Sequence, residues 1–250
     1  MKKLKKYTVG LFSILLRNLA DYEVTADQET LHKIRITIKK IRTVIRLISF
    51  CDNDFKTGKH FRFYKKIFKD AGVIRSIHID GKLKAEFDMN VKEEKLTTNP
   101  DYGKRSEFIS SFIKNTNDNC RSVYRNYFEL ERYLTKVSSK CFKDYYSNKL
   151  LELKNMIHPE LIESQLHNAR KICKEIIFLS EISKNSKKNI DPFYENLQDR
   201  IGNWHDKSEL LQTIKNNSGH ISDKNSEKIG VEINSDLSAV KILISNYYKK

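Results

Sequence analysis

Glycine and proline are scarce, at 8 and 3 of 250 residues, against average usage of about 7% and 5%. So few chain breakers disfavour a turn-rich β architecture and leave long helices, so the fold class expected is all-α. Cysteine is sparse too. Cys51, Cys120, Cys141 and Cys173 are widely spaced, with no C-x-x-C pair and no Cys/His cluster of zinc type. This pattern offers neither a metal site nor a disulfide scaffold, and reduced, mostly packed thiols are expected. No apolar run reaches the roughly 18 residues of a membrane span. The N-terminal MKKLKKYTVGLFSILLRNLA looks superficially like a signal peptide, but its uncharged run stops at Arg17. Leu4, Tyr7, Leu11, Leu15 and Leu19 recur at helical spacing, which predicts the first helix of a bundle in a soluble, cytoplasmic protein.

A local absence is more informative. Between Glu29 and Asp52 there is no acidic residue, yet LHKIRITIKKIRTVIRLISFC from Leu31 to Cys51 is rich in Lys and Arg. At about 100° per residue, His32, Arg35, Lys39, Arg42 and Arg46 fall at roughly 0°, 300°, 340°, 280° and 320°, on one narrow stripe. Leu31, Ile34, Ile38, Ile41, Ile45 and Ile48 occupy a neighbouring arc of core-facing width. One helix thus carries a core face and a cation face, with Lys33 and Lys40 off the main stripe. Arg35/Lys39 and Arg42/Arg46 are like-charge i,i+4 pairs, each costing an isolated helix about 0.2–0.5 kcal/mol. A solvated surface helix usually relieves such repulsion with Glu; this one is built to meet a polyanion.

The whole chain agrees with that bias. It has 47 basic and 32 acidic residues, a formal charge of +15 and 39% hydrophobic content. This suits a globular protein whose partner is nucleic acid, polyphosphate or an anionic surface. Helices are expected at about 4–20, 26–51, 58–71, 73–96, 104–137, 140–156, 159–185, 191–203, 205–216 and 225–248. Asn-Pro-Asp-Tyr-Gly at 99–103 and Asn-Asn-Ser-Gly at 216–219 are the clearest interruptions. Thr25 and Asp27 can cap the first basic helix, and Pro159 suits the first turn of the helix carrying His167.

Two segments recur in order. LHKIRITIKKI from Leu31 returns as LHNARKICKEI from Leu166, matching His32, Arg35 and Lys39 with His167, Arg170 and Lys174. FYKKIFKDAGVIR from Phe63 returns as FYENLQDRIGNWH from Phe193, matching Phe63, Tyr64, Ile67 and Gly72 with Phe193, Tyr194, Leu197 and Gly202. The offsets are nearly equal and longer than any solenoid period. We expect one compact domain over 1–250, made of two pseudo-twofold-related four-helix units, repeat 1 at about 1–138 and repeat 2 at about 139–250. Two histidine helices meeting at the seam would line one basic groove, which would favour an extended ligand.

The H-x-x-R-x-x-x-K-x-x-R pattern from His32 to Arg42, its second copy at His167 and the LQDRIGNWHD segment at Leu197 to Asp206 together resemble the CHAD family, the conserved histidine α-helical domain. The resemblance spans nearly the whole chain. It implies two pseudo-symmetric four-helix units and binding of inorganic polyphosphate along a basic surface, with association to polyphosphate or polyhydroxyalkanoate granules in some members. The family's basic motif falls on His32, Arg35, Lys39 and Arg42, and on His167, Arg170 and Lys174. The second copy departs from it: Ile177 stands opposite Arg42, Glu175 follows Lys174, and Glu181 takes the place of Arg46. After the glycine, Arg75-Ser76 and His205-Asp206 stand where the family has R-D.

The expected polyphosphate-binding set is therefore His32, Arg35, Lys39, Lys40, Arg42, Arg46, His167, Arg170, Lys171 and Lys174, with Arg62, Lys66, Arg75 and His205 at the periphery. Arginine offers planar bidentate donation to phosphate oxygens, while lysine acts as a movable point charge. Each histidine either donates to phosphate or packs at the seam. No carboxylate pair, nucleophile or metal-ligand cluster accompanies them, so no catalytic residue, metal or cofactor is expected, and the chain reads as a non-enzymatic binder. Two rivals stand beside this reading. Nucleic acid ranks lower because the basic helix has no ring until Phe50, whereas base-stacking platforms interleave rings with cations. A phosphoanhydride enzyme or its accessory subunit would need acidic metal ligands near the stripe. The single Trp204 reads as a packing anchor.

Overall fold

The computed structural model describes residues 2–86, 100–158, 163–183, 191–216 and 223–248, and among these every regular element is a helix. In chain order they are α1 (Lys2–Thr25), α2 (Gln28–Cys51), α3 (Thr57–Glu86), α4 (Pro100–Lys114), α5 (Thr116–Leu134), α6 (Ser139–Met156), α7 (Glu163–Ser183), α8 (Pro192–Asn216) and α9 (Asp223–Tyr248). The all-α expectation holds. The described residues form two compact units, whose boundaries fall inside α3 after Gly81 and inside α6 after Tyr145.

In the first unit α1 packs on α2 and α5. The apolar arc anticipated for α2 is buried throughout: Leu31, Ile34, Ile38, Ile41, Ile45 and Ile48 are at most 1% exposed. The face is wider than the apolar pattern suggests, because Thr37 and Thr43 are buried as well. Their hydroxyls donate within the helix, to the Lys33 carbonyl at 2.8 Å and the Lys39 carbonyl at 3.3 Å. Such internal pairing removes the penalty for burying the hydroxyls. Asp27 is the N-cap of α2, as expected. Its Oδ2 accepts from the Thr30 N–H at 2.8 Å and hydroxyl at 3.0 Å, bonds that hold its carboxyl below the usual range. Ala26, at φ 47°, makes the left-handed turn between α1 and α2. Deeper in, the fully buried Tyr64 of α3 donates to Asn126 Oδ1 of α5 at 2.7 Å, and Phe12 of α1 packs against both Tyr64 and Tyr127.

In the second unit α8 packs against α7 and α9. The core is Leu153, Ile157, Leu166, Ala169, Ile172, Cys173, Ile176, Phe193, Leu197, Ile201, Trp204, Val240 and Ile244. Trp204 is a packing anchor here, 7% exposed. Lys207 of α8 ties to α9 through Glu232 and Asp236, both at 2.9 Å.

Four sequence expectations need correction. Cys51 and Cys141 form a disulfide between the end of α2 and the start of α6; Cys120 and Cys173 remain free, as packed thiols. Widely separated cysteines carry no spacing signal, so only the fold could bring these two together. The break expected at Gly72 is absent, since α3 runs through it, and α8 likewise runs through 203–205. Gly72 and Gly202, inside these two helices, serve close packing. The helix expected over 104–137 is interrupted at Asn115, where the Asn115 amide donates to the Ser111 carbonyl at 2.7 Å and the Thr116 hydroxyl to the Phe112 carbonyl. In Asn-Thr-Asn-Asp-Asn at 115–119, side chains compete with the helical ladder without any Pro or Gly. The Asn-Pro-Asp-Tyr-Gly segment begins α4 at Pro100. Residues 87–96 of the expected fourth helix, Pro159 and 217–219 lie outside the described residues.

Candidate functional site: two cationic helix pairs

Arg35 of the first unit is not a free surface charge. From α2 it reaches across to α3, where Nη1 donates to the Phe68 carbonyl at 2.6 Å and the guanidinium lies over the Phe68 ring at 4.0 Å. That carbonyl ordinarily bonds the N–H four residues on, at Gly72. A Cβ at Gly72 would stand 2.5 Å from Arg35 Nη1. Glycine therefore opens the groove through which the guanidinium enters. Burial, with the Arg75 charge on α3 adding to it, lowers Arg35 to about 10, so it stays protonated at neutral pH. Lys39 lies 5.7 Å from the same Phe68 ring, and the exposed Arg42 lies 5.2 Å from the ring of Phe61. Both rings are thus cation partners supplied by the next helix. His32, Lys40, Arg46 and Arg75 are half-buried, and Arg62 and Lys66 are exposed on α3.

The second unit repeats the central contact. Arg170 of α7 lies against Gly202 of α8, where a Cβ would meet Nη2 at 2.7 Å and Cζ at 3.1 Å. The matched arginines of the two sequence repeats thus press on the matched glycines. The surroundings differ. Counting from the shared glycine, Phe68 gives way to Gln198 and Phe61 to Asp191, and Arg170 Nε is buried without a hydrogen-bond partner. His167 and His205 come together with ring centroids 5.1 Å apart, and His205 Nε2 is 3.4 Å from Glu209. His167 is held below its ordinary value by burial first, then by Lys171, His205, Arg170 and Lys174. Every charged group that moves it is a cation or can become one. The departures from the motif also find places: Ile177 and Glu175 are buried, and Glu181 is half-buried.

The structure therefore gathers Arg35, Lys39, Arg42 and Arg75 with Phe61 and Phe68 on α2 and α3. Separately, it gathers His167, Arg170, Lys171, Lys174 and His205 on α7 and α8. The two phenylalanines and the two glycines were missed as site residues. The signal for the glycines was present, because a glycine recurring inside both helical repeats marks a close approach. No group of three or more His, Cys, Asp or Glu side chains suited to a metal occurs among the described residues.

No family model matches the chain, and no curated protein matches it. Solved structures do. A crystal structure of the CHAD domain from the plant Ricinus communis superposes with a TM-score of 0.66 at 12% identity, covering 98% of this chain and 91% of that one. PptA from Streptomyces chartreusis superposes with a TM-score of 0.56 at 11% identity, covering 100% and 99%. At such identity the likeness concerns backbone architecture, and the repeated Arg35–Gly72 and Arg170–Gly202 contacts agree with the motif that first suggested it. The chain has an all-α, CHAD-like fold.

Proposed function

We propose that this protein binds inorganic polyphosphate without turning it over, each unit presenting a cationic helix pair to the chain of phosphates. The observation that carries the reading is the gathering of basic groups on α7 and α8, where the His167 ring lies 5.1 Å from that of His205 and Arg170 of the same helix presses on Gly202. Burial first, and then the repulsion of Lys171, His205, Arg170 and Lys174, lowers His167. A ligand with many closely spaced charges relieves that repulsion. It gains charge-assisted hydrogen bonds and releases condensed counterions, by analogy with the duplex DNA case. The CHAD-like fold supports the reading, as does the family's association with polyphosphate. Association with polyphosphate or polyhydroxyalkanoate granules follows from the same resemblance, while the division into repeats of about 1–138 and 139–250 follows from the recurring sequence segments.

Arg35 acts in this account as a positioning residue. Its guanidinium is committed to Phe68, and through that bond it sets the spacing of α2 and α3. Direct phosphate contact falls to the more exposed Arg42 and Lys171. Arg42→Glu and Lys171→Glu should each weaken binding of long-chain polyphosphate and lower its salt slope by about one or more per reversed charge, with helicity intact. Unchanged affinity in both variants would sink the assignment. Phosphate release from polyphosphate with Mg²⁺ or Mn²⁺ present would instead favour the enzymatic rival.

A further inference from the structure

The exposed face of α5 carries a second arrangement that polyphosphate does not explain. Arg121, Tyr124, Arg125, Phe128 and Arg132 fall within an arc of about 100° on this helix, and all five are exposed. Tyr124 and Phe128 are 57% and 50% exposed. The core is supplied by other positions, Val123, Asn126, Leu130 and Leu134. The rings are nevertheless held in place. Tyr124 and Phe128 meet edge to face at 4.9 Å, Phe128 leans on Tyr127 at 5.5 Å, and Tyr127 packs on Phe12 at 5.0 Å.

The three arginines make no ion pair and no side-chain hydrogen bond among the described residues. The acids of the same helix border this arc and are engaged with other elements: Glu131 pairs with Lys5 of α1 at 2.7 Å, and Glu129 Oε2 lies 3.6 Å from His60 Nδ1. Asp118, in the first turn, is the one remaining acid of α5. Three guanidinium groups that make no ion pair among the described residues thus flank two anchored, solvent-facing rings. A phosphate chain would use the arginines and leave the rings idle. A nucleic-acid single strand uses both, because unpaired bases offer flat faces to rings while the backbone offers phosphates to arginine. Duplex DNA hides those base faces.

We propose that this face of α5 binds single-stranded nucleic acid, with Tyr124 and Phe128 stacking on bases and Arg121, Arg125 and Arg132 contacting phosphates. This is the interleaving of rings and cations that α2 lacks. The test is fluorescence anisotropy with a labelled oligouridylate on the full chain, with long-chain polyphosphate measured in parallel. Tyr124→Leu with Phe128→Leu keeps apolar bulk and helical preference while removing the π faces. It should lower oligouridylate affinity about tenfold or more and leave polyphosphate affinity unchanged. Tyr124→Trp with Phe128→Trp should retain oligouridylate binding, and circular dichroism should show the same helicity for every variant. No oligouridylate binding by the unmodified protein would overturn the proposal. So would wild-type affinity in the leucine variant, or equal losses toward both ligands.

Discussion

Two glycines decide how close the basic helices come to their neighbours. At Gly72 a methyl group would displace Arg35 from both the Phe68 carbonyl and the Phe68 ring. Overpacking of this kind costs about 1–3 kcal/mol, against a gain of about 1 kcal/mol from replacing a helical glycine. Gly72→Ala should therefore be neutral to destabilising. At Gly202 the displaced Arg170 has no Nε hydrogen bond to lose, so Gly202→Ala should be the milder change. Gly10 of α1 has open space where a Cβ would go, and Gly10→Ala should stabilise. Thermal midpoints rising in the order Gly72→Ala, Gly202→Ala, Gly10→Ala are expected; Gly72→Ala as the most stable of the three would contradict this role for Arg35.

His167 supplies a second test at this scale. Its burial, and after that its neighbours Lys171, His205, Arg170 and Lys174, hold it below its ordinary 6.5. As pH falls below that value the unfolded chain takes up this proton before the folded one does, so the group's contribution to stability declines with acidification. A bound polyanion reverses the field, raises His167 and makes binding take up a proton. Binding should therefore tighten as pH falls through the range near 6.5. Calorimetry in buffers of different ionisation enthalpy should show that uptake, reduced in His167→Gln. Equal uptake in the variant and the unmodified protein would exclude His167 as the responsive group.

At the scale of elements, α2 was legible in detail and its neighbours were not. Its apolar arc, its cation stripe and its Asp27 cap all follow from periodicity and side-chain chemistry within one segment. The rings that hold its cations, Phe61 and Phe68, belong to α3, and no periodicity in α2 could reveal them. The break at Asn115 was hidden because side chains, not Pro or Gly, make it. The disulfide is the clearest case of information carried only by the fold. It ties the last residue of α2 to α6, beside the Asp52–Lys136 ion pair at 2.7 Å and the Phe50–Tyr145 ring contact at 5.0 Å. Thiol titration of the denatured, unreduced protein should find the two free cysteines, Cys120 and Cys173. Four reactive thiols would contradict the pairing. In the folded protein Cys173 should be inert, since burial pushes its thiol up to about 12.

For the whole molecule, a formal charge of +15 favours an anionic partner and says little more. Charge alone does not distinguish a structured binder from a diffuse basic surface. What distinguishes them here is recurrence: two units each set a motif arginine against a helical glycine. That recurrence was legible as a sequence repeat before any fold was known, because it rests on matched residues in matched order. The unequal surroundings of the two arginines were less legible, since they depend on Phe68 and Gln198 occupying corresponding places on different helices.

The central claim is that the cations gathered on α2 with α3 in one unit, and those on α7 with α8 in the other, each bind polyphosphate. The most direct measurement is binding of long-chain polyphosphate at two salt concentrations, with tripolyphosphate and duplex DNA as competitors. The account predicts affinity that falls steeply with salt, strong preference for the long chain over tripolyphosphate, and weak competition by duplex DNA. Binding that is indifferent to chain length and salt, or that duplex DNA displaces as readily as polyphosphate itself does, would contradict it.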